Sequence, residues 1–135
     1  MILNVLVDNN TFIDKYFLGE PALSYFIELN NKKILFDTGY SDIFLTNASK
    51  MNISLANLDY IVLSHGHSDY TGGLKSLLHK YNLEKTKLIA YPQILYPKWK
   101  NNIDIRMFMS FDELSYKLEP ILTKEPYWTD DNLVF

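Results

Sequence analysis

Apolar and polar positions alternate through the first quarter of the chain and then change period. Ile2 to Val7 is rich in β-formers and closes on the turn string Asp8-Asn9-Asn10, which predicts a strand. ALSYFIEL and KKILFDTG flank Asn30-Asn31 and predict two strands joined by an Asn-rich hairpin turn. Gly39 breaks the second of these and Ser41 is placed to cap. Ile43, Phe44, Ala48 and Met51 then recur at helical spacing, predicting a helix of about three turns. Leu58 to Ser64, LDYIVLS, is a short apolar run between polar residues, the pattern of a strand buried on both faces. From Thr71 onward, Leu74, Leu77, Leu78 and Tyr81 share one stripe, predicting a helix that ends near Asn82. KLIAY reads as a second buried strand, and the segment punctuated by Pro92 and Pro97 as a short helix. Ser110 and Glu113 form a capping box ahead of a helix with Leu114 and Leu118. Pro120 to Phe135 predicts two short strands around Pro126, ending on the apolar string NLVF.

Strands first, then strands alternating with helices, argue for an α/β fold: a mixed sheet covered by helices. A length of 135 residues suits one core, so residues 1–135 are expected to form a single domain. Net charge is −3 with both signs interspersed, which argues against a nucleic-acid or membrane-surface partner. The apolar run at the N-terminus lacks a basic leader and is too short to span a bilayer, so a cytoplasmic protein is expected. Cysteine is absent, which excludes thiolate sites and leaves histidine and carboxylate as the only metal donors.

Those donors cluster. His65, His67, Asp69 and Tyr70 directly follow the buried strand and directly precede Gly72-Gly73, a helix start. In open α/β sheets ligands bind at the carboxyl ends of strands. Two histidines two apart aim both imidazoles at one point, and the glycine between them removes a side chain that would crowd an ion. Asp69 adds a hard oxygen donor able to hold an ion or orient a water for attack. A histidine pair by itself is more often solvated than metal-bound; the full string decides.

SHGHSDYTGGL (64–74) resembles the metallo-β-lactamase superfamily motif HxHxDH with its TGG-like helix start. ILFDTG (34–39) stands where that superfamily carries a strand ending in a D-T/S-G turn. Within the superfamily the chain is most similar to the branch of dihydropterin (ribofuranosyl)aminobenzene phosphate synthases, through SHGHSDYTGGL, LIAYPQ, SFDELSYKL and LTKEPYW. The resemblance implies the N-terminal half of an αββα sandwich, with helices on one face of the sheet. It implies His65, His67 and Asp69 as metal ligands, Asp69 also as the catalytic residue, and Asp37 beneath the metal loop as a hydrogen-bond partner. It implies a divalent metal, zinc before manganese or iron.

Three departures qualify it. Tyr70 replaces the motif's third histidine and stands beside the ligands, since a phenol with a pKa of about 10 is a poor one. Tyr91 replaces the branch's A-H-P histidine, leaving a pocket-facing aromatic for substrate. The string also ends at Phe135, ahead of the stretch that gives relatives their remaining ligands. The resemblance therefore implies an incomplete site with weak metal occupancy, in a metal-dependent hydrolase-like protein acting on a small anionic substrate. The alternative is a degenerate, non-catalytic half-domain serving as a binding or dimerisation module, or one part of a split enzyme. Because both faces of LDYIVLS and KLIAY are apolar while the helices suffice for one layer, a homodimer or higher closed oligomer is expected to cover the other face.

Overall fold

The computed structural model describes residues 1–12, 14–130 and 133–135. Strand β1 (Ile2–Val7) pairs antiparallel with β2 (Ser24–Leu29), which pairs antiparallel with β3 (Lys32–Phe36). Asn30 and Asn31 have φ of 51° and 60°, the left-handed values a tight two-residue hairpin turn requires. Beyond β3 the sheet turns parallel, through β4 (Tyr60–Leu63), β5 (Lys87–Ala90) and β8 (Glu119–Leu122), in the order β1-β2-β3-β4-β5-β8. The mixed sheet read from the sequence is the one observed.

Helix α1 (Ile43–Lys50) follows β3 and runs eight residues, shorter than the three turns expected. Asn52 takes a left-handed φ of 58° just past its end and stops it. Asp42 rather than Ser41 occupies the position before the helix; the Ser41 hydroxyl donates to Glu20 Oε2 at 2.7 Å and accepts only a long bond, 3.4 Å, from Ile43 N–H. The helix predicted from Thr71 is two pieces, α2 (Ser68–Thr71) and α3 (Leu74–Lys80), meeting at Gly72-Gly73. A 3-10 turn (Pro92–Leu95) follows β5, and a small hairpin of β6 (Trp99–Lys100) and β7 (Ile103–Asp104), not predicted, follows that. The Ser110 and Glu113 capping box opens α4 (Phe111–Lys117) as read: Glu113 N–H donates to Ser110 Oγ at 3.2 Å and Ser110 N–H to Glu113 Oε2 at 2.8 Å.

Alternation along the strands sorts side chains onto two faces. Leu35, Ile61, Leu63 and Leu88 meet Phe44 and Ala48 of α1, Leu74, Leu77 and Leu78 of α3, and Leu114 of α4 in one core. Each Leu fully buried there is worth roughly 2 kcal/mol. Asn47 is buried within this layer, and its amide nitrogen donates to the carbonyls of Leu6 and Leu18 at 2.7 Å each, tying α1 to β1. The opposite face carries Ile34, Tyr60, Val62 and Ile89, and among the described residues no helical side chain packs in its cluster.

That second face is not left open along its whole width. Strands β9 (Trp128–Asp130) and β10 (Leu133–Val134) pair antiparallel and fold back over it; Asn132, within the terminal NLVF string, lies outside the described residues. Tyr127 and Phe135 exchange backbone hydrogen bonds at 2.8 and 3.0 Å, and the Phe135 ring packs on Tyr60 at 5.3 Å between centroids. What remains open lies toward β1, where Leu3 and Val5 are 47% and 44% exposed. A partner chain would therefore have a narrower apolar surface to cover than the sequence suggested. No helix among the described residues is long and apolar enough to cross a membrane.

Candidate metal centre

The site starts with Asp37, which sits at the end of β3 with a φ of 55° and is fully buried. Its carboxylate reaches across to the end of β4: Oδ1 accepts from Ser64 N–H at 2.8 Å and Oδ2 from the Ser64 hydroxyl at 2.7 Å. Burial pushes the Asp37 carboxyl up to about 6, and the two bonds from Ser64 hold it back from rising further. Ser64 Oγ in turn lies 2.9 Å from His65 Nδ1. With the hydroxyl proton given to Asp37, Nδ1–H donates to Ser64 and Nε2 is left bare for a metal. Asp37 thus lies within hydrogen-bonding reach of the loop, its contact made with Ser64, a residue the sequence reading left without a task.

The loop itself is locked from below. Thr38, completely buried, donates its N–H to Tyr70 O at 2.7 Å, and Gly73 N–H donates to Gly39 O at 3.2 Å. A β-carbon at Gly73 would collide with Thr38 O and stand 2.5 Å from Ser41 O; one at Gly66 would collide with Ile94 O. Both glycines are required because backbone occupies the space of a side chain.

His65, His67 and Asp69 present donor atoms that all lie within 4.8 Å of one another, each half-buried. The two imidazoles meet edge to face at 4.5 Å between centroids. Burial lowers the pKa of His65; the neighbouring His67 and Lys98 lower it further, against an opposite pull from Asp69. A lowered value keeps the ring neutral, the form that ligates. Two imidazoles and a carboxylate suit zinc, manganese or iron(II), so the donor set fits a divalent ion. The Tyr70 ring lies against His65, 4.2 Å between centroids.

Tyr91 directly follows β5, whose Ala90 is level with Leu63 of β4, so it stands beside the metal loop at the same sheet edge. It is 44% exposed and lines a cavity of about 310 Å³ with Val62, Ile89, Lys124 and Phe135. The third histidine of the chain, His79, is on α3 among Lys75 and Lys80, away from this cluster.

A buried Asp beneath a His-x-His-x-Asp loop at the carboxyl end of a mixed sheet defines an α/β protein with a candidate metal centre. The metallo-beta-lactamase superfamily profile matches residues 18–133, and the chain belongs to that superfamily. It is 34% identical over 134 residues to an uncharacterized protein of Methanocaldococcus jannaschii, covering 98% of this chain and 51% of that one. It is 39% identical over 83 residues to the 7,8-dihydropterin-6-methyl-4-(beta-D-ribofuranosyl)-aminobenzene-5'-phosphate synthase of the same organism, covering 58% of this chain and 28% of that protein. A solved metal-dependent hydrolase of the beta-lactamase superfamily superposes with a TM-score of 0.73 at 28% identity, over 96% of this chain and 45% of its own. The chain spans about half the length of the first of these relatives and less of the other two.

Proposed function

We propose that this chain carries the metal-binding loop of a metal-dependent hydrolase, with His65 and His67 as ligands of one divalent ion and Asp69 as both donor and orienter of the attacking water. The observation that carries this reading is the convergence of three donor atoms within 4.8 Å at the end of β4. When bound, the ion supplies Lewis acidity and lowers the pKa of water at the site. The chain's own residues do the rest. Asp37 and Ser64 fix the His65 ring, Gly66 lets the loop lie against the Ile94 carbonyl, and Tyr91 offers an aromatic wall for substrate. Zinc is the first choice of ion, with manganese and iron(II) compatible with the same donors.

The test is turnover of small chromogenic phosphoesters and esters with and without added zinc, in the intact chain and in the variants His67→Ala and Asp69→Ala. Hydrolysis that requires metal and falls by at least about 100-fold in either variant is expected, from the loss of a ligand or of the water's orienter. Turnover indifferent to a chelator would contradict the proposal. A second reading, a non-catalytic metal or ligand-binding half-domain, is favoured by one feature: Tyr70 stands where the superfamily has its third histidine, and its ring packs tilted at 53° against His65. Stoichiometric metal binding with no turnover on any substrate would select it.

A further inference from the structure

Glu20, half-buried in the segment between β1 and β2, is hydrogen-bonded to the turn that supports the metal loop. Its Oε1 accepts from Tyr40 N–H at 2.8 Å and from Ser41 N–H at 3.0 Å, and its Oε2 accepts from the Ser41 hydroxyl at 2.7 Å. Glu20 is itself fixed at the backbone: its N–H donates to Asp8 O at 3.3 Å, and its carbonyl accepts from Ala22 N–H at 2.7 Å. The turn closes tightly on the carboxylate. Gly39 takes a φ of 72°, and a β-carbon there would stand 2.8 Å from Glu20 Oε1. While the N–H groups of residues 40 and 41 face Glu20, the carbonyls of residues 39 to 41 face the two glycines that follow α2. Gly73 N–H donates to Gly39 O at 3.2 Å, a β-carbon at Gly72 would collide with Tyr40 O, and one at Gly73 would stand 2.5 Å from Ser41 O. One residue earlier in the turn, Thr38 N–H donates to Tyr70 O at 2.7 Å. Helix α2, which begins just after His67 and contains Asp69, therefore rests on a turn held by three hydrogen bonds to one carboxylate.

We propose, resting on the metal-site reading above, that Glu20 is a positioning residue for the metal centre: by closing the 39–41 turn it sets where α2 lies, and with it the placement of His67 and Asp69 relative to His65. His65 is held separately, from the end of β4, through Ser64 and Asp37. The two halves of the donor set thus depend on different supports, and the distance between them depends on both. Two backbone N–H groups and a hydroxyl converge on Glu20, which calls for a group that only accepts, and an ionised acceptor makes the stronger bonds. An amide of the same length still accepts both N–H groups through its one oxygen. A carboxylate one methylene shorter keeps the charge and loses the reach. Glutamine and aspartate at this position therefore separate placement from charge.

Calorimetric zinc titration of Glu20→Ala, Glu20→Asp and Glu20→Gln tests this, at a temperature where thermal melts show each variant folded. Thr86→Val is the comparison: it loses the bond from the Thr86 hydroxyl to Leu58 O, 2.8 Å, at the opposite end of β4 and β5 from the metal loop. Glu20→Ala should weaken zinc binding by about ten-fold or more, the lower end of what outer-shell substitutions cost a metal site. Glu20→Asp should weaken it as well, Glu20→Gln should stay within about three-fold of the unaltered chain, and Thr86→Val should change nothing. Amide hydrogen exchange of the metal-free protein gives a second readout. In Glu20→Ala the N–H groups of Thr38 and Gly73 should exchange faster, while that of Leu88 in β5 keeps its rate. If Glu20→Ala does not fold, Glu20→Gln against Glu20→Asp decides, with the glutamine variant binding zinc more tightly. Zinc affinity in Glu20→Ala equal to that in Thr86→Val, aspartate serving as well as glutamine, or exchange at Thr38 and Gly73 unmoved by Glu20→Ala would each overturn the assignment. If the unaltered chain binds no zinc, the metal reading falls, and the exchange rates alone decide whether Glu20 sets the loop.

Discussion

The wall of the site formed by residues 37–41 and 64–73 is built of buried backbone and close glycine contacts, whereas the wall formed by residues 91–107 is built of exposed turns and side-chain pairs. In the first, Asp37 and Thr38 are completely buried and every polar atom of Asp37 is matched, by Ser64, by the Ser24 hydroxyl or by the β4 backbone. In the second, Tyr96, Trp99 and Ile103 are 58 to 65% exposed, and the hairpin β6-β7 has two residues to a strand. The difference teaches where each task can be placed. Holding metal donors in register demands a rigid floor, while selecting a substrate tolerates a wall whose residues can change without unfolding the sheet.

The sharpest way to break that comparison is to fill one of the glycine contacts. Gly73→Ala puts a β-carbon into Thr38 O and within 2.6 Å of Phe44 Cε1. A loss of roughly 3 kcal/mol or more in urea unfolding is expected from such overpacking. A change near zero would mean that the floor yields, and the contrast between the walls would fall.

Next comes the charge state of the floor. The Asp37 carboxyl is raised to about 6 in the fold from an ordinary 3.8, so the folded state holds that proton more tightly than the unfolded one. The stabilisation is fully present below pH 3.8 and is lost as pH rises through about 6, to the extent of roughly 3 kcal/mol for a shift of two units. Metal-free protein should show this fall between pH 4 and 7 on top of its other titrations, and Asp37→Asn should remove it. Identical pH curves for the two proteins would contradict burial as the dominant influence on Asp37.

Tyr70→His probes the boundary between the walls. It places an imidazole at the superfamily's third-histidine position and should strengthen binding of a second divalent ion by at least about ten-fold, read by titration with zinc. No gain would mean that the Tyr70 position does not face the donors. The smallest effect is expected in the outer wall: Ile103→Thr, at a position 65% exposed, should shift stability by no more than about 0.5 kcal/mol.

The two walls also differed in how far the sequence disclosed them. The floor was legible because its constraints are local strings: a strand ending in DTG and a loop carrying two histidines, an aspartate and paired glycines. The hairpin of the outer wall went unread although it carries the same signal as the first one. Asn101-Asn102 have φ of 50° and 62°, matching Asn30-Asn31, but the strands they join are too short to show alternation. Arg106 has no local signature either; its place opposite His67 comes from backbone pairing across some 40 positions of sequence. Ser64 was visible as a residue of the motif, yet its contact with Asp37 depends on the parallel register of β3 against β4. The cover over the second sheet face was hidden for the same reason: Leu133 and Phe135 fall at strand spacing, but no local string shows that β9 and β10 fold back so that Tyr127, Leu133 and Phe135 meet that face.

The central claim is that His65, His67 and Asp69 hold one divalent ion. Zinc titration of metal-free protein at pH 7.5, followed by calorimetry and by elemental analysis after dialysis, tests it most directly. The account predicts no more than one ion per chain, with binding abolished in His65→Ala and His67→Ala and declining as pH drops below the ordinary histidine value of 6.5. Two tightly held ions per chain, or one ion that survives both substitutions, would contradict it.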